Sequence, residues 1–128
     1  MKYLMILLLI SITLIGCTSA DSDSNGEFRS MSSADAYEMI TSGDDVIILD
    51  VRSEGEFSNG HIEGAILLPV DEIEYRAESI LPDKDAVILV ICQSGNRSQV
   101  ASQELVDLGF NNVYDIGGIM SWPGEIVQ

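Results

Sequence analysis

A short segment in the last third of the chain, residues 91–98, combines a thiol, a glycine and a guanidinium in one loop. Cys92 follows a run of apolar residues, and Gly95 and Arg97 come shortly after it. A loop between a strand and a helix can direct successive backbone N–H groups toward one point, and Gly95 permits the backbone angle that this requires. Because helix N-termini and nearby cations favour a thiolate over a thiol, the pattern predicts that Cys92 is a nucleophile.

The spacing of Cys92 and Arg97 decides which anion such a loop could hold. Protein tyrosine phosphatases have five residues between their cysteine and arginine, which leaves room for a tetrahedral phosphate. A loop with four makes a tighter cradle, which suits a single sulfur atom such as the end of a persulfide. Phosphatase or arsenate reductase activity is therefore the less favoured hypothesis, as is a merely structural cysteine. The small, neutral residues expected to line the cradle are Gln93, Ser94, Gly95, Asn96 and Ser98.

A second polar pair, Asp50 and Arg52, follows another apolar run. The ends of parallel strands meet at one edge of a sheet, so this pair is expected near Cys92. Arg52 could attract an anionic donor, but an ion pair with Asp50 that holds the loop is the favoured interpretation. His61 is the only histidine, and a structural role at a turn is favoured over that of a general base. The sequence has no cluster of typical metal ligands, so neither a metal nor a cofactor is expected.

The elements that must position these residues alternate between apolar strands and helices. Strands are predicted over residues 28–30, 46–51, 65–68, 87–91 and 113–114. Helices are predicted after Ser32, around residues 54–57 and 71–80, and from about Ser98, where one face carries Val100, Ala101, Leu105 and Leu108. This alternation indicates an α/β domain with a largely parallel sheet, in which ligands bind beyond the carboxyl ends of the strands.

The first 16 residues predict a targeting segment rather than part of the fold. Lys2 precedes an apolar run over residues 4–15, which is shorter than the ~20 residues that a membrane-spanning helix needs and has the dimensions of a signal peptide. The run ends in Gly16 and Cys17, similar to the lipobox of bacterial lipoproteins. Residues 1–16 are therefore expected to be cleaved, Cys17 to carry lipid, and residues 17–27 to form a flexible tether.

This interpretation predicts a domain over residues 28–128 that is anchored to a membrane of the bacterial cell envelope and faces outside the cytoplasm. With Cys17 modified, Cys92 would be the only free thiol, and no intramolecular disulfide could form. A lone thiol in an oxidising compartment is normally a liability, which strengthens the case for a function.

The charge of the chain restricts its partners. Six basic and 21 acidic residues give a net charge of −15, which disfavours binding to nucleic acid. The same field slows the approach of small anions unless a local positive pocket outweighs it. The favoured interpretation is a solvated acidic surface through which copies of the protein repel one another. Docking of a basic protein is the alternative.

Four motifs resemble those of the rhodanese family. They occur along the chain in the same order as in the family and cover about residues 28–124. The reactive loop matches the family pattern Cys-x-x-Gly-x-Arg followed by Ser, and Asp50-Val51-Arg52 matches its Asp-Val-Arg. The other two are Gly60-His61-Ile62-Glu63-Gly64-Ala65, preceded by Glu56-Phe57, and Gly117-Gly118 with Trp122. Glu63 and Leu67 depart from the family, which often has Pro and Asn there, but both lie outside the reactive loop.

The resemblance implies a rhodanese-like α/β fold, a five-stranded parallel sheet flanked by helices on both faces. It also implies transfer of sulfane sulfur from a small anionic donor such as thiosulfate to cyanide or a thiol, including a protein thiol. Cys92 would be the nucleophile, residues 93–97 the cradle, and Arg97 its stabiliser. A monomer is expected. The alternatives are a non-catalytic binding module and a persulfide or thiol-redox relay with a partner protein.

Overall fold

The computed structural model describes residues 26–128. The predicted signal segment 1–16, the lipidated Cys17 and most of the tether lie outside this range. The strands are β1 (Arg29–Ser30), β2 (Val46–Asp50), β3 (Ile66–Leu67), β4 (Val87–Cys92) and β5 (Asn112–Gly118). The helices are α1 (Ser33–Thr41), α2 (Glu54–Ser58), α3 (Ile73–Ile80) and α4 (Asn96–Asp107), with 3-10 turns at Val70–Glu72 and Ile119–Ser121.

The five strands form one sheet in the order β1-β5-β4-β2-β3, and every pair is parallel. This confirms the predicted fold. The register sets Asp50 of β2 beside Ile91 of β4, so both strands end at the same edge of the sheet. The backbone N–H of Val51 still donates to the Ile91 carbonyl oxygen at 3.0 Å. The loops that carry Arg52 and Cys92 therefore begin side by side.

Alternate residues of the central strands point into two separate cores, as a sheet covered on both faces requires. Ile88 and Val90 pack with Leu49 and with Ala77 of α3 and Leu105 of α4. On the opposite face, the core consists of Ala36, Ile48, Ile62, Leu89, Ile91 and Ile116, with Ala36 contributed by α1. The continuous apolar runs of β2 and β4 follow from this burial on both sides.

Three expectations about α4 and β5 were wrong or incomplete. Helix α4 begins at Asn96 rather than about Ser98, because Gly95 already adopts the turn that starts it. Val100 is 54% exposed and does not share the buried face of Ala101 and Leu105. Strand β5 runs from Asn112 to Gly118 instead of ending at residue 114, because pairing with β4 continues past Asp115.

The chain after β5, residues 119–128, is here called the C-terminal segment. It crosses back to the turn after α2, where His61 and Val127 exchange two backbone hydrogen bonds of 2.9 and 2.8 Å. Gly60 packs so closely against it that a Cβ there would lie 2.7 Å from Ile126. The segment thus fixes the turn that supports Arg52. Within residues 26–128, none of the helices has the length and apolarity to cross a membrane.

Candidate active site

Cys92 ends β4 and lies at the floor of the loop that links β4 to α4. Its Sγ accepts a hydrogen bond from the backbone N–H of Gly95 at 3.0 Å. Gly95 has a φ of +107° and directly precedes the first turn of α4. Only glycine adopts this angle at little cost, and it turns the amide back toward the sulfur. The geometry stabilises negative charge on Sγ by a hydrogen bond and by the positive end of a 12-residue helix.

The hydroxyl of Ser98 is the second polar group at the sulfur. Its Oγ lies 3.4 Å from Sγ of Cys92 and donates its proton to the carbonyl oxygen of Gly95 at 3.0 Å. Ser98 is fully buried, and Cys92 is 1% exposed. The hydroxyl therefore holds the curled loop closed while contacting the sulfur. The predicted loop residues Ser94 and Asn96 lie on the exposed rim.

The end of β5 braces the other side of the loop. Gly118 lies so close that a Cβ there would collide with the Gln93 carbonyl oxygen and reach 2.8 Å from Cα of Ser94. The ladder between β4 and β5 shifts register at this point, where Cys92 pairs with Gly118. A close backbone approach of this kind requires a residue without a side chain. Gly118 of the Gly-Gly motif thus supports the loop.

Arg97 was expected to add its positive charge to the cradle, but its guanidinium is paired elsewhere. Nη1 and Nη2 donate to the two carboxylate oxygens of Glu56 at 2.7 and 2.8 Å. This hydrogen bond, with those from Ser53, lowers the pKa of Glu56 from 4.5 to about 2. The same bond raises the pKa of Arg97, to which the charges of Cys92 and Asp50 add less. Arg97 therefore ties the first turn of α4 to α2.

Glu56 also organises its own helix. Ser53 and Glu56 form a capping box, in which each side chain bonds to the backbone N–H of the other. Ser53 Oγ lies 2.9 Å from Glu56 Oε1, the oxygen that also accepts from Arg97. In the sequence, Glu56 stands out only as part of the Glu56-Phe57 motif. The signal that could have identified its role was Ser-x-x-Glu directly after the end of a strand.

Asp50 and Arg52 form the ion pair that the sequence favoured. Both are buried, with exposures of 0% and 3%, and Arg52 Nη2 lies 2.8 Å from Asp50 Oδ2. Arg52 also donates to the Gly60 carbonyl oxygen at 2.7 Å and to the Gln93 side-chain oxygen at 3.2 Å. One guanidinium thus joins the end of β2, the turn after α2 and the reactive loop.

His61 lies outside this network of polar contacts around the sulfur. Its ring stacks on Phe57 with a centroid distance of 3.8 Å and an angle of 8°. Its Nδ1 lies 2.9 Å from the Phe57 carbonyl oxygen, and its backbone pairs with Val127. These contacts support the structural role. Within the described range, no three His, Cys, Asp or Glu side chains are grouped to hold a metal ion.

Comparison with known proteins identifies sulfurtransferases that are similar to this chain in sequence. The chain is 38% identical over 92 residues to the adenylyltransferase and sulfurtransferase UBA4 of Meyerozyma guilliermondii, covering 66% of this chain and only 22% of that protein. It is 33% identical over 99 residues to the thiosulfate sulfurtransferase GlpE of Coxiella burnetii, covering 77% of this chain and 90% of the relative.

A solved structure has the same fold. The rhodanese-related protein from Thermoplasma volcanium is 38% identical, with a TM-score of 0.68, and the match covers 78% of this chain and 98% of that one. The sequence also matches the rhodanese-like domain family over residues 32–125. That range contains both central strands, the Asp50–Arg52 pair and the whole reactive loop. This chain therefore belongs to the rhodanese-like domain family.

Proposed function

We propose that this chain is a sulfurtransferase that moves sulfane sulfur from a donor such as thiosulfate to a thiophilic acceptor through a persulfide on Cys92. One observation carries the proposal: the Gly95 N–H lies 3.0 Å from Sγ at the start of α4. A sulfur held in this way is a competent nucleophile. The matched relatives named sulfurtransferases support the same reaction class.

The reaction has two steps, each of which balances. The Cys92 thiolate attacks the outer sulfur of thiosulfate, the new S–S bond forms, and sulfite leaves with the electron pair of the broken bond. The acceptor, cyanide or a thiolate, then attacks the outer sulfur of the persulfide. Cys92 leaves as a thiolate, and thiocyanate or an organic persulfide is released. Neither step needs an external oxidant or reductant.

The decisive experiment is mass analysis of the full chain after treatment with thiosulfate, with peptide mapping because Cys17 is also a cysteine. The expected result is an adduct of one sulfur atom on the peptide that contains Cys92, which cyanide removes. The Cys92→Ser variant should take up none. Absence of the adduct from wild-type protein with thiosulfate and with polysulfide would refute the proposal.

We further propose that Cys17 anchors the mature protein to a membrane of the bacterial cell envelope by lipid. The lipobox-like sequence before Cys17 supports this. Expression in a bacterium fed labelled palmitate should label the wild-type chain and place it in the membrane fraction. Cys17→Ser should be unlabelled and leave that fraction. A labelled or membrane-bound Cys17→Ser protein would contradict lipidation at this residue.

A further inference from the structure

An open cleft of about 560 Å³ lies beside the cradle, with Gln93 of the reactive loop in its wall. Small-molecule sites in proteins have volumes of roughly 300–1,000 Å³. Thiosulfate and cyanide have five and two heavy atoms and would fill only a small part of it. The size of the cleft therefore suits a substrate with an organic body.

The charges in the cleft wall are already compensated. Arg52 is paired with Asp50 at 2.8 Å, and Glu56 with Arg97 at 2.7 Å. The other cations within the described range, Arg29, Arg76 and Lys84, do not line it. A dianion in the cleft would therefore find no unpaired cation to bind. An uncharged group needs no such partner and fits this lining.

One wall of the cleft is apolar and accessible. It consists of Ile119, Met120 and Ile126 of the C-terminal segment. Met120 is 75% exposed and Ile126 43% exposed. Large apolar side chains exposed together at a cleft are a common sign of binding, and methionine adapts readily to different apolar shapes.

Gln93 supplies an uncharged polar group to the lining of the cleft. Arg52 can only donate, so the Gln93 oxygen must face it and the Gln93 NH₂ group must point away. The hydrogen bonds within residues 26–128 include none from that NH₂ group. It is a neutral donor at the border between the cleft and the loop, suited to a carbonyl or sulfur acceptor.

The acceptor need not reach Cys92 itself. The outer sulfur of a persulfide lies ~2.05 Å beyond Sγ. Because Cys92 is 1% exposed at the floor of the loop, persulfide formation moves the reacting atom outward. A thiol whose body occupies the cleft could then attack that atom.

Resting on the proposed function, we propose that the cleft binds the uncharged, partly apolar body of a small organic thiol, which accepts the sulfur from the Cys92 persulfide. Met120 and Ile126 contact this body and make the site selective for it. The thiol loses its proton to water, its sulfur bonds to the outer sulfur, and the bond to Sγ breaks. The products are an organic persulfide and the Cys92 thiolate.

The test compares acceptors on the persulfidated full chain. Rate constants for cyanide, 2-mercaptoethanol, phenylmethanethiol and a cysteine-containing peptide are measured after loading with thiosulfate or polysulfide. Wild-type protein should favour phenylmethanethiol over 2-mercaptoethanol, two thiols of similar acidity. Met120→Gln should reduce the ratio of the phenylmethanethiol rate to the cyanide rate about five- to tenfold, and Met120→Leu should restore it.

The matched control is Tyr75→Gln, because Tyr75 is 71% exposed and does not line the cleft. It should leave the ratio at the wild-type value. An equal ratio in wild-type and Met120→Gln protein would overturn the inference, as would a dependence on Met120 seen only with a cysteine-containing peptide. Failure of the proposed function is distinct, because then no sulfur adduct forms on Cys92 at all.

Discussion

Both carboxylate oxygens of Glu56 accept hydrogen bonds from Arg97, at 2.7 and 2.8 Å, and this pair connects α2 to the first turn of α4. Residues from two helices that are distant in sequence thereby fix the loop around Cys92. Planar, bidentate contacts of this kind restrict orientation as well as distance. The pair determines where Arg97 lies and leaves the Gly95 N–H as the backbone donor to the sulfur.

Glu56→Gln should reduce sulfur transfer, because a neutral amide offers Arg97 one acceptor oxygen instead of a bidentate carboxylate. We expect kcat/KM to fall about three- to tenfold through displacement of the loop. Since the two side chains are 33% and 36% exposed, the loss of stability should be only ~0.5–1 kcal/mol. Steady-state kinetics and urea unfolding measure both. Glu54→Gln, an exposed neighbour in α2, should behave like wild type.

The Glu56 carboxylate also predicts a dependence of stability on pH. Its pKa falls from 4.5 in the unfolded chain to about 2 in the folded protein. Its contribution is therefore complete above pH 4.5 and disappears as the pH falls to about 2. The difference in unfolding free energy between wild type and Glu56→Gln should be constant from pH 7 to 5. It should then decrease as the pH is lowered further. A difference that persists at pH 2 would contradict this.

Asp50→Asn should be strongly destabilising, because it leaves the Arg52 guanidinium buried without its counter-charge. Breaking one side of a buried ion pair costs roughly 3–5 kcal/mol. The comparison is Glu72→Gln, which breaks the exposed pair with Arg76, whose side chains are 30% and 44% exposed. That variant should lose less than ~1 kcal/mol. Chemical denaturation measures both, and similar losses would argue against the structural role of Asp50.

Gly118→Ala should displace the reactive loop, which packs against Gly118 at the end of β5. The new Cβ would press on the Gln93 carbonyl and on Cα of Ser94, so the loop must shift. Overpacking of this kind costs ~1–3 kcal/mol, and the rate of persulfide formation should fall with it. Gly55→Ala is the control, since a Cβ there meets nothing within 4 Å. Wild-type activity in Gly118→Ala would show that the loop tolerates movement.

The sequence was sufficient for the fold because its signals are local and repeated. The apolar runs of β2 and β4 can be read directly, and their register sets Asp50 beside Ile91. The reactive loop was located for the same reason, since a thiol, a glycine and a guanidinium stand within six residues. The ion pair of Asp50 and Arg52 was also within reach, because the two are neighbours in sequence.

The partners of Arg97 and the support of the loop were not predictable in the same way. Arg97 bonds to Glu56, 41 positions away, and nothing local indicates that this carboxylate engages both of its Nη groups. The approach of Gly118 to Gln93 depends on a register shift between β4 and β5. The start of α4 was misplaced because Gly95, without a capping side chain, gives a weak signal.

The pairing of Val127 with His61 holds the segment that contributes one wall of the cleft. The cradle is built from β4, α4 and the end of β5, whereas one wall of the cleft ends in Ile126, next to the crossing at Val127. Substitutions at Met120 or Ile126 would alter that wall while the Gly95 N–H still bonds to the sulfur. If the cleft selects the acceptor as proposed, evolution can change acceptor preference in this segment and keep the cradle of the sulfur as it is.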